Sequence, residues 1–263
     1  MPRFAANLSM MFNEVDFLDR FRAARKCGFT AVEYLFPYAH PKAELAERLD
    51  GEGLQQVLFN APPGDWDKGE RGIGGAPGRE DEFKKSIDTV LAYAAALKCP
   101  RVHVMAGIVP AGADRNRHRD AFAANLAWAA PRAKQAGLEL LLEPLNAVDF
   151  PGYLVGSIAA AQEIIRLSGS DNVFVQYDVY HMQMSQGRLA QSFRDHIDQI
   201  RHVQIAGVPG RHEPDSSQEI NFPMLFLYFD SVGYQGWIGC EYRPRVKTEA
   251  GLAWAADYGI QAP

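Results

Sequence analysis

The chain has 263 residues, and 27 Lys and Arg against 32 Asp and Glu give it a formal net charge of −5. A content of 47% apolar and 22% charged residues is typical of a globular protein with a substantial core. The negative charge speaks against binding of nucleic acid or of a membrane surface through basic residues.

Short runs rich in β-branched and aromatic residues alternate with longer segments whose apolar residues recur at helical spacing. We predict strands at residues 4–8, 31–35, 55–60, 101–105, 138–143, 173–178, 200–205 and 237–241. Between them, a helix with Ile158, Ala161 and Ile164 on one face ends at Gly169, the usual residue after a helix. Eight units of about 33 residues each predict an α/β protein with a single (β/α)8 TIM barrel domain over residues 1–263.

An open, doubly wound sheet is the alternative architecture. A dinucleotide-binding sheet of that kind carries a GxGxxG turn after its first strand, but the residues here are Ser9-Met10-Met11-Phe12. One local conflict remains in the predicted helix at 114–135, where Pro131 is expected to kink or split the helix.

A polar, glycine-rich stretch at residues 62–79 follows the third predicted strand. Loops of this length usually have a function. One interpretation is a lid from which Glu70 or Arg71 reaches into a pocket. The other is a surface Ω-loop held by its own glycines and Trp66, and the sequence leaves both open.

Oxygen-bearing side chains end four successive predicted strands, namely Glu143, Asp178, Gln204 and Glu241. In a barrel these strand ends meet at one mouth. Three carboxylates there would repel one another, and a divalent cation removes that conflict. An all-oxygen shell favours Mg²⁺ or Mn²⁺ over zinc, although each acid taken alone is equally compatible with a solvated or arginine-paired strand end.

Other polar residues lie near these strand ends in the sequence. His181 and His202 are candidates for outer ligands, proton carriers or packed structural histidines. Arg211 follows the seventh strand and is either a clamp for a substrate carboxylate or a solvated loop residue. Glu33 and His103 lie within strands and either line the pocket floor or fill the barrel interior, so we leave both off the catalytic list.

The three cysteines are Cys27, Cys99 and Cys240, and none belongs to a CxxC pair. This usage indicates a reducing compartment. Neither a signal-peptide pattern at the start nor an apolar run of bilayer-spanning length is present. We expect a cytoplasmic protein without a membrane partner.

Six stretches of the sequence resemble the hydroxypyruvate isomerase family, within the xylose-isomerase-like TIM barrels. The matching stretches are residues 3–12, 69–72, 77–80, 143–146, 177–182 and 236–242. Because they are dispersed over essentially the whole chain, the resemblance is more specific than any one motif.

The resemblance implies an aldose–ketose isomerase that interconverts hydroxypyruvate and tartronate semialdehyde through an enediolate stabilised by a divalent metal ion, Mg²⁺ or Mn²⁺. It implies that Glu143 and Glu241 are the paired catalytic glutamates. The implied metal ligands are Glu143, Asp178, Gln204 and Glu241, the same four residues that the strand ends indicate. As substrate-binding residues for a small keto acid or sugar acid we predict Glu70, Arg71, His181 and Arg211.

Two branches of the family fit different parts of the sequence. Residues 204–215, with Gly207 where hydroxypyruvate isomerases commonly have Asp, are similar to 2-oxo-tetronate isomerases, whereas Glu70-Arg71 and residues 178–181 are similar to hydroxypyruvate isomerases. A ketose 3-epimerase with the same metal and glutamates is a third alternative. A non-catalytic sugar-acid binder stays open as well, while a DNA endonuclease would need more His and Asp zinc ligands and a basic face.

Overall fold

The computed structural model describes residues 1–263, in which eight parallel strands close into a barrel in the order β1 to β8. The strands are β1 (Arg3–Asn7), β2 (Ala31–Tyr34), β3 (Gln55–Asn60), β4 (Arg101–His103), β5 (Glu139–Leu142), β6 (Val173–Asp178), β7 (Ile200–Ile205) and β8 (Trp237–Cys240). Each bound lies within two residues of the predicted one. The (β/α)8 fold is confirmed.

Helices occupy every connection between successive strands. They are α1 (Arg20–Lys26), α2 (Lys42–Glu52), α3 (Glu80–Leu97), α4 (Arg115–Gln135), α5 (Ile158–Ser168), α6 (Val179–Ser185), α7 (Leu189–His196) and α8 (Phe222–Ser231). Short 3₁₀ helices cover Phe17–Asp19, Trp66–Lys68, Ile197–Gln199 and Glu249–Tyr258. None of the helices combines the length and the apolarity that crossing a bilayer requires.

Residues 1–35, 40–57 and 177–263 form one compact unit. In it β1 pairs with β2 and β8, and β8 pairs with β7. The register sets Asn7 opposite Glu33, and Gln204 opposite Gly239. The carboxyl ends of these strands are therefore level with one another, which brings their polar residues together.

Residues 36–39 and 58–176 form a second compact unit. Here β4 pairs with β3 and β5, and β5 pairs with β6. His103 at the end of β4 lies opposite Asn60 of β3 and Leu141 of β5. Leu141 comes two residues before Glu143 in the chain. The sequence interpretation of a single domain stays a prediction.

Pro131 does not split α4, which runs unbroken from Arg115 to Gln135; the expected split was wrong, and a kink stays a prediction. A proline removes the hydrogen bond that its nitrogen would donate to the carbonyl four residues earlier, here that of Ala127. Both Pro131 and Ala127 are exposed. Water can therefore bind the freed carbonyl, and the buried face of the helix keeps its packing.

An aromatic cluster packs α7 and α8 in the first unit. Phe193 is fully buried, and its ring centroid lies 4.3 Å from that of Phe229, 5.4 Å from that of Tyr177 and 5.5 Å from that of Tyr234. Aromatic pairs at such distances add to the free energy gained by burial. This cluster holds α7 in place behind the strand end that carries Asp178.

Replacing Phe193 with Ala should lower the free energy of unfolding by about 3–5 kcal/mol, because the cavity would be enclosed by rings that cannot close over it. Urea titration followed by circular dichroism measures the change. Leu227→Ala in α8 is the control, since Leu227 is exposed and its loss should cost less than about 0.5 kcal/mol. Equal losses in the two variants would contradict this account of the packing.

Candidate functional site

Asp178 ends β6 and also begins α6. Its Oδ1 accepts a hydrogen bond of 2.8 Å from the backbone N–H of Tyr180, as a helix-capping carboxylate does. Strand and helix follow each other without an intervening residue, and the side chain is fully buried. The capping bond uses Oδ1 and leaves Oδ2 for other partners.

Arg211 joins the acids at the ends of β6 and β8. Its Nη2 donates to Oε2 of Glu241 at 2.5 Å and to Oδ2 of Asp178 at 3.3 Å. The guanidinium also lies 4.9 Å from the ring centroid of Tyr180. Arg211 adopts a φ of 54°, an unfavourable backbone conformation for a non-glycine residue that often marks functional sites.

Burial disfavours the charged form of both acids. Burial raises the pKa of Glu241 to about 8; the cation of Arg211 opposes this rise, and the negative charges of Asp178 and Glu33 add to it. Burial also raises the pKa of Asp178, again against the effect of Arg211. One arginine therefore does not neutralise the pair fully, and the site favours either a retained proton or a second cation.

His181 adds an imidazole to these acids. It lies three residues after Asp178 on α6, almost fully buried, with Nε2 3.6 Å from Oδ2 of Asp178. Of the predicted site residues, Asp178, His181, Arg211 and Glu241 are thus brought together.

Gln204 binds to a buried carboxylate that sequence reasoning left off the catalytic list. Its Nε2 donates to Oε1 of Glu33 at 2.8 Å. Asn7 donates to the same oxygen at 2.9 Å, and Nε2 of His202 lies 2.6 Å from Oε2. All four side chains are at most 1% exposed. The available signal was an acid inside the otherwise apolar strand Ala31–Tyr34.

Glu143 has different surroundings. It directly follows β5 and is buried, and its Oε2 lies 3.3 Å from Nδ1 of His103. Burial lowers the pKa of His103 to about 3, so the imidazole is uncharged near neutral pH. The contact of Glu143 with His103 is therefore one with a neutral ring, whereas the contact of Glu241 with Arg211 is one with a cation.

Glu70 and Arg71 make their contacts within their own loop. Arg79 donates to Oε1 of Glu70 at 2.6 Å, which lowers the pKa of Glu70. The guanidinium of Arg71 lies 3.8 Å from the ring centroid of Trp66 and donates to the Trp66 carbonyl at 3.0 Å. These contacts favour the interpretation as a self-packed Ω-loop, and binding of substrate by either residue stays a prediction.

Glu143 in the second unit, and Asp178 and His181 in the first, carry buried donor groups of the kinds that can hold a metal ion. Two carboxylates and one imidazole suit a divalent cation that accepts mainly oxygen ligands. The raised pKa values at Asp178 and Glu241 fit the same conclusion, because both acids would gain from an adjacent cation. Sequence reasoning named His181 both for the substrate and as a candidate outer ligand, and its buried imidazole keeps it among the possible metal donors.

Comparison with known proteins gives full-length matches. The family model described as xylose isomerase-like TIM barrel matches residues 21–258. The chain is 54% identical to 2-oxo-tetronate isomerase of Cupriavidus necator, over 98% of this chain and 99% of the relative. It is 42% identical to hydroxypyruvate isomerase of Escherichia coli, over 98% of this chain and 100% of the relative.

Among solved structures, an AP endonuclease, family 2, from Brucella melitensis superposes with a TM-score of 0.96 at 49% identity, over 98% of this chain and 99% of that one. The curated relatives from Cupriavidus necator and Escherichia coli are isomerases at 54% and 42% identity, and this chain is an enzyme of the aldose–ketose isomerase type. The family model matches most of this chain, and its eight strands close into a barrel. The chain therefore belongs to the xylose isomerase-like TIM barrel family.

Proposed function

We propose that this isomerase interconverts a four-carbon 2-oxo sugar acid and its 3-oxo isomer, a 2-oxo-tetronate isomerisation, with the help of a divalent metal ion. The observation that carries the proposal is the pair of buried acids, Asp178 and Glu241, whose pKa values burial raises although Arg211 binds both. Such a pair suits both cation binding and proton transfer.

The choice of substrate rests on the relatives. Three 2-oxo-tetronate isomerases are 48–54% identical to the chain, against 42% for the hydroxypyruvate isomerase of Escherichia coli. Gly207 and its neighbours support the same branch. Hydroxypyruvate, the primary substrate that the sequence suggested, becomes the second candidate.

The proposed metal ligands are Glu143, Asp178, Gln204 and Glu241, with His181 as a further donor. Pairing of neighbouring strands supports the inclusion of Glu143. Leu142 lies opposite Val175, and each strand then continues to its own acid, Glu143 in one case and Asp178 in the other. A bound Mg²⁺ or Mn²⁺ supplies electrostatic stabilisation of the negative charge that develops on the substrate oxygens.

Moving a hydrogen between adjacent carbons requires that a proton be taken from one carbon and returned to the other, and two carboxyl groups can divide these steps. Glu143 lies beside an uncharged imidazole, and Glu241 lies beside an arginine and a second acid. The two glutamates thus have unequal surroundings, and burial raises the pKa of Glu241 to about 8. We therefore assign proton transfer to Glu143 and Glu241, with one on each side of the substrate.

Arg211 is the proposed partner of the substrate carboxylate. Its planar guanidinium matches a carboxylate in geometry, and it is already placed beside the acids by its contacts with Glu241 and Tyr180. His181 next to Asp178 is a candidate hydrogen-bond partner for a substrate hydroxyl. The sequence led us to predict Arg211 as a carboxylate clamp and His181 as a substrate-binding residue.

Cleavage of DNA is disfavoured, although the relative from Brucella melitensis is named an AP endonuclease. The formal net charge of −5 gives no general attraction to a phosphate backbone. A ketose 3-epimerase would use the same acids on a longer sugar, so a substrate panel separates it from the proposed isomerase.

The purified protein should interconvert 2-oxo-tetronate and 3-oxo-tetronate, lose this activity in excess chelator and regain it with Mn²⁺ or Mg²⁺. NMR in D₂O should show solvent deuterium at the carbon that receives the proton. We expect kcat/KM for 2-oxo-tetronate to exceed that for hydroxypyruvate. Full activity in chelator would contradict the metal role, and deuterium exchange only at C3 of a ketose would indicate an epimerase instead.

Glu143→Gln and Glu241→Gln should each lower kcat by about 10²–10⁴-fold, the usual contribution of an acid–base group, with little change in the unfolding temperature. Glu163→Gln provides a matched loss of a carboxylate, since Glu163 lies half-exposed on α5 and pairs with Arg119. It should retain normal turnover. Near-normal kcat in both active-site variants would refute the assignment.

Affinity for Mn²⁺ should rise with pH. Because the pKa of Glu241 is raised to about 8, the metal-free site holds a proton at pH 6–7, and binding of a cation must release it. Each released proton makes the dissociation constant fall about tenfold per pH unit below the pKa and level off above it. Titration between pH 6 and 9 measures this slope, and a Glu241→Gln variant should show a shallower one; equal, flat profiles would contradict it.

A further inference from the structure

We propose that Glu33 is a positioning residue for the metal centre: its carboxylate fixes the side-chain amide of Gln204 so that the oxygen, not the nitrogen, faces the ion. The inference rests on the proposed function, in which Gln204 is a metal ligand. It assigns a role to a buried acid that proton transfer does not use.

An amide ligand poses a problem that a carboxylate ligand does not. The two ends of a glutamine amide have nearly the same shape, but only the oxygen carries lone pairs for a cation, whereas the nitrogen presents two hydrogens. A freely rotating amide would often turn its hydrogens toward the ion. A group that sets the orientation of the amide before the ion arrives therefore makes glutamine a better ligand.

Glu33 supplies that group. Nε2 of Gln204 donates to Oε1 of Glu33 at 2.8 Å, and an ionised carboxylate can only accept. The amide oxygen of Gln204 must then lie on the opposite side, away from Glu33. Rotation of the amide by half a turn would set two oxygens against each other in a buried site, which is strongly unfavourable.

The carboxylate of Glu33 is itself held on several sides. Asn7 donates to Oε1 at 2.9 Å, and Nε2 of His202 lies 2.6 Å from Oε2. Gly239 faces Gln204 across the β7–β8 pair, and a Cβ at that position would overlap both oxygens of Glu33. The absence of a side chain at residue 239 therefore leaves the space that the carboxylate occupies.

A purely structural role for Glu33 would leave metal binding unchanged. Under that alternative, the carboxylate would only satisfy buried donors of Asn7, His202 and Gln204, and its loss would affect stability alone. By contrast, replacing a residue that hydrogen-bonds to a metal ligand typically changes metal affinity by about 10–100-fold. Metal affinity, measured without turnover, therefore separates the two roles.

The test titrates the metal-free full chain with Mn²⁺ and follows free Mn²⁺ by electron paramagnetic resonance. Glu33→Gln should raise the Mn²⁺ dissociation constant about 10–100-fold, because a glutamine at 33 can also donate and no longer imposes one orientation on Gln204. Glu213→Gln is the matched control. Glu213 is another buried carboxylate, and its Oε1 accepts a hydrogen bond from the backbone N–H of Arg245 at 3.0 Å. Glu213→Gln should leave the Mn²⁺ dissociation constant within about twofold of that of the unaltered protein.

An exchange of the two groups makes the test more specific. Gln204→Glu sets two carboxylates against each other, whereas Glu33→Gln combined with Gln204→Glu restores one donor and one acceptor with the original charge. The double variant should bind Mn²⁺ more tightly than the product of the two single effects predicts. Independent, multiplicative effects would count against the pairing of these side chains.

Gly239→Ala gives a second route if Glu33→Gln does not fold, as judged by circular dichroism. It keeps the carboxylate but displaces it, and it should also weaken Mn²⁺ binding. Normal Mn²⁺ affinity in folded Glu33→Gln or Gly239→Ala would overturn the inference while leaving the proposed function intact. Failure of the unaltered protein to bind Mn²⁺ would instead overturn the metal site of the proposed function, and this inference with it.

Discussion

Like charges buried at the ends of parallel strands are the constraint on which this site depends. Glu33, Asp178 and Glu241 are at most 5% exposed, so water does little to screen them from one another. The chain answers this repulsion in two ways. Glu33 is surrounded by side-chain amides and an imidazole, while Asp178 and Glu241 share one arginine and have raised pKa values.

The barrel explains why such a strained set of charges can persist. Parallel pairing of β1, β2, β7 and β8 fixes the positions of their ends through backbone hydrogen bonds. These bonds hold the strand ends together against the repulsion between a few buried acids. Asp178 gains further from capping α6. The free energy that stabilises the fold thus maintains an arrangement of acids that would separate if it were free to do so.

The alternation of strand-like and helix-like segments was sufficient to predict the fold. Each strand and each helix shows its own spacing of apolar residues within a short stretch of sequence. The acids of the candidate site were predicted on the same basis, since Glu143, Asp178 and Glu241 each stand at the end of a strand-like run; their roles stay predictions. Contacts between distant residues could not be predicted in this way. Nothing local in Ala31–Tyr34 shows that Glu33 meets Gln204, or that Gly239 leaves room for its carboxylate.

Two other features could not be predicted from composition and local pattern alone, namely the contacts within the loop at 62–79 and the effect of Pro131 on α4. The contacts of Arg71 with Trp66 and of Glu70 with Arg79 decide whether the loop at 62–79 binds itself, and composition alone left that open. Pro131 was expected to kink or split α4, but it lies on the exposed face, where loss of one backbone hydrogen bond costs little because water replaces it. Whether Pro131 is exposed depends on how α4 packs, and the sequence around Pro131 indicates that only weakly.

Anomalous diffraction from crystals grown with Mn²⁺ tests the central claim most directly. The account predicts one strong manganese peak within coordination distance of a carboxylate oxygen of Glu143, Asp178 and Glu241, with the amide oxygen of Gln204 turned toward it and its nitrogen still bonded to Glu33. A fully occupied manganese position elsewhere, with Arg211 still bridging Asp178 and Glu241, would contradict it.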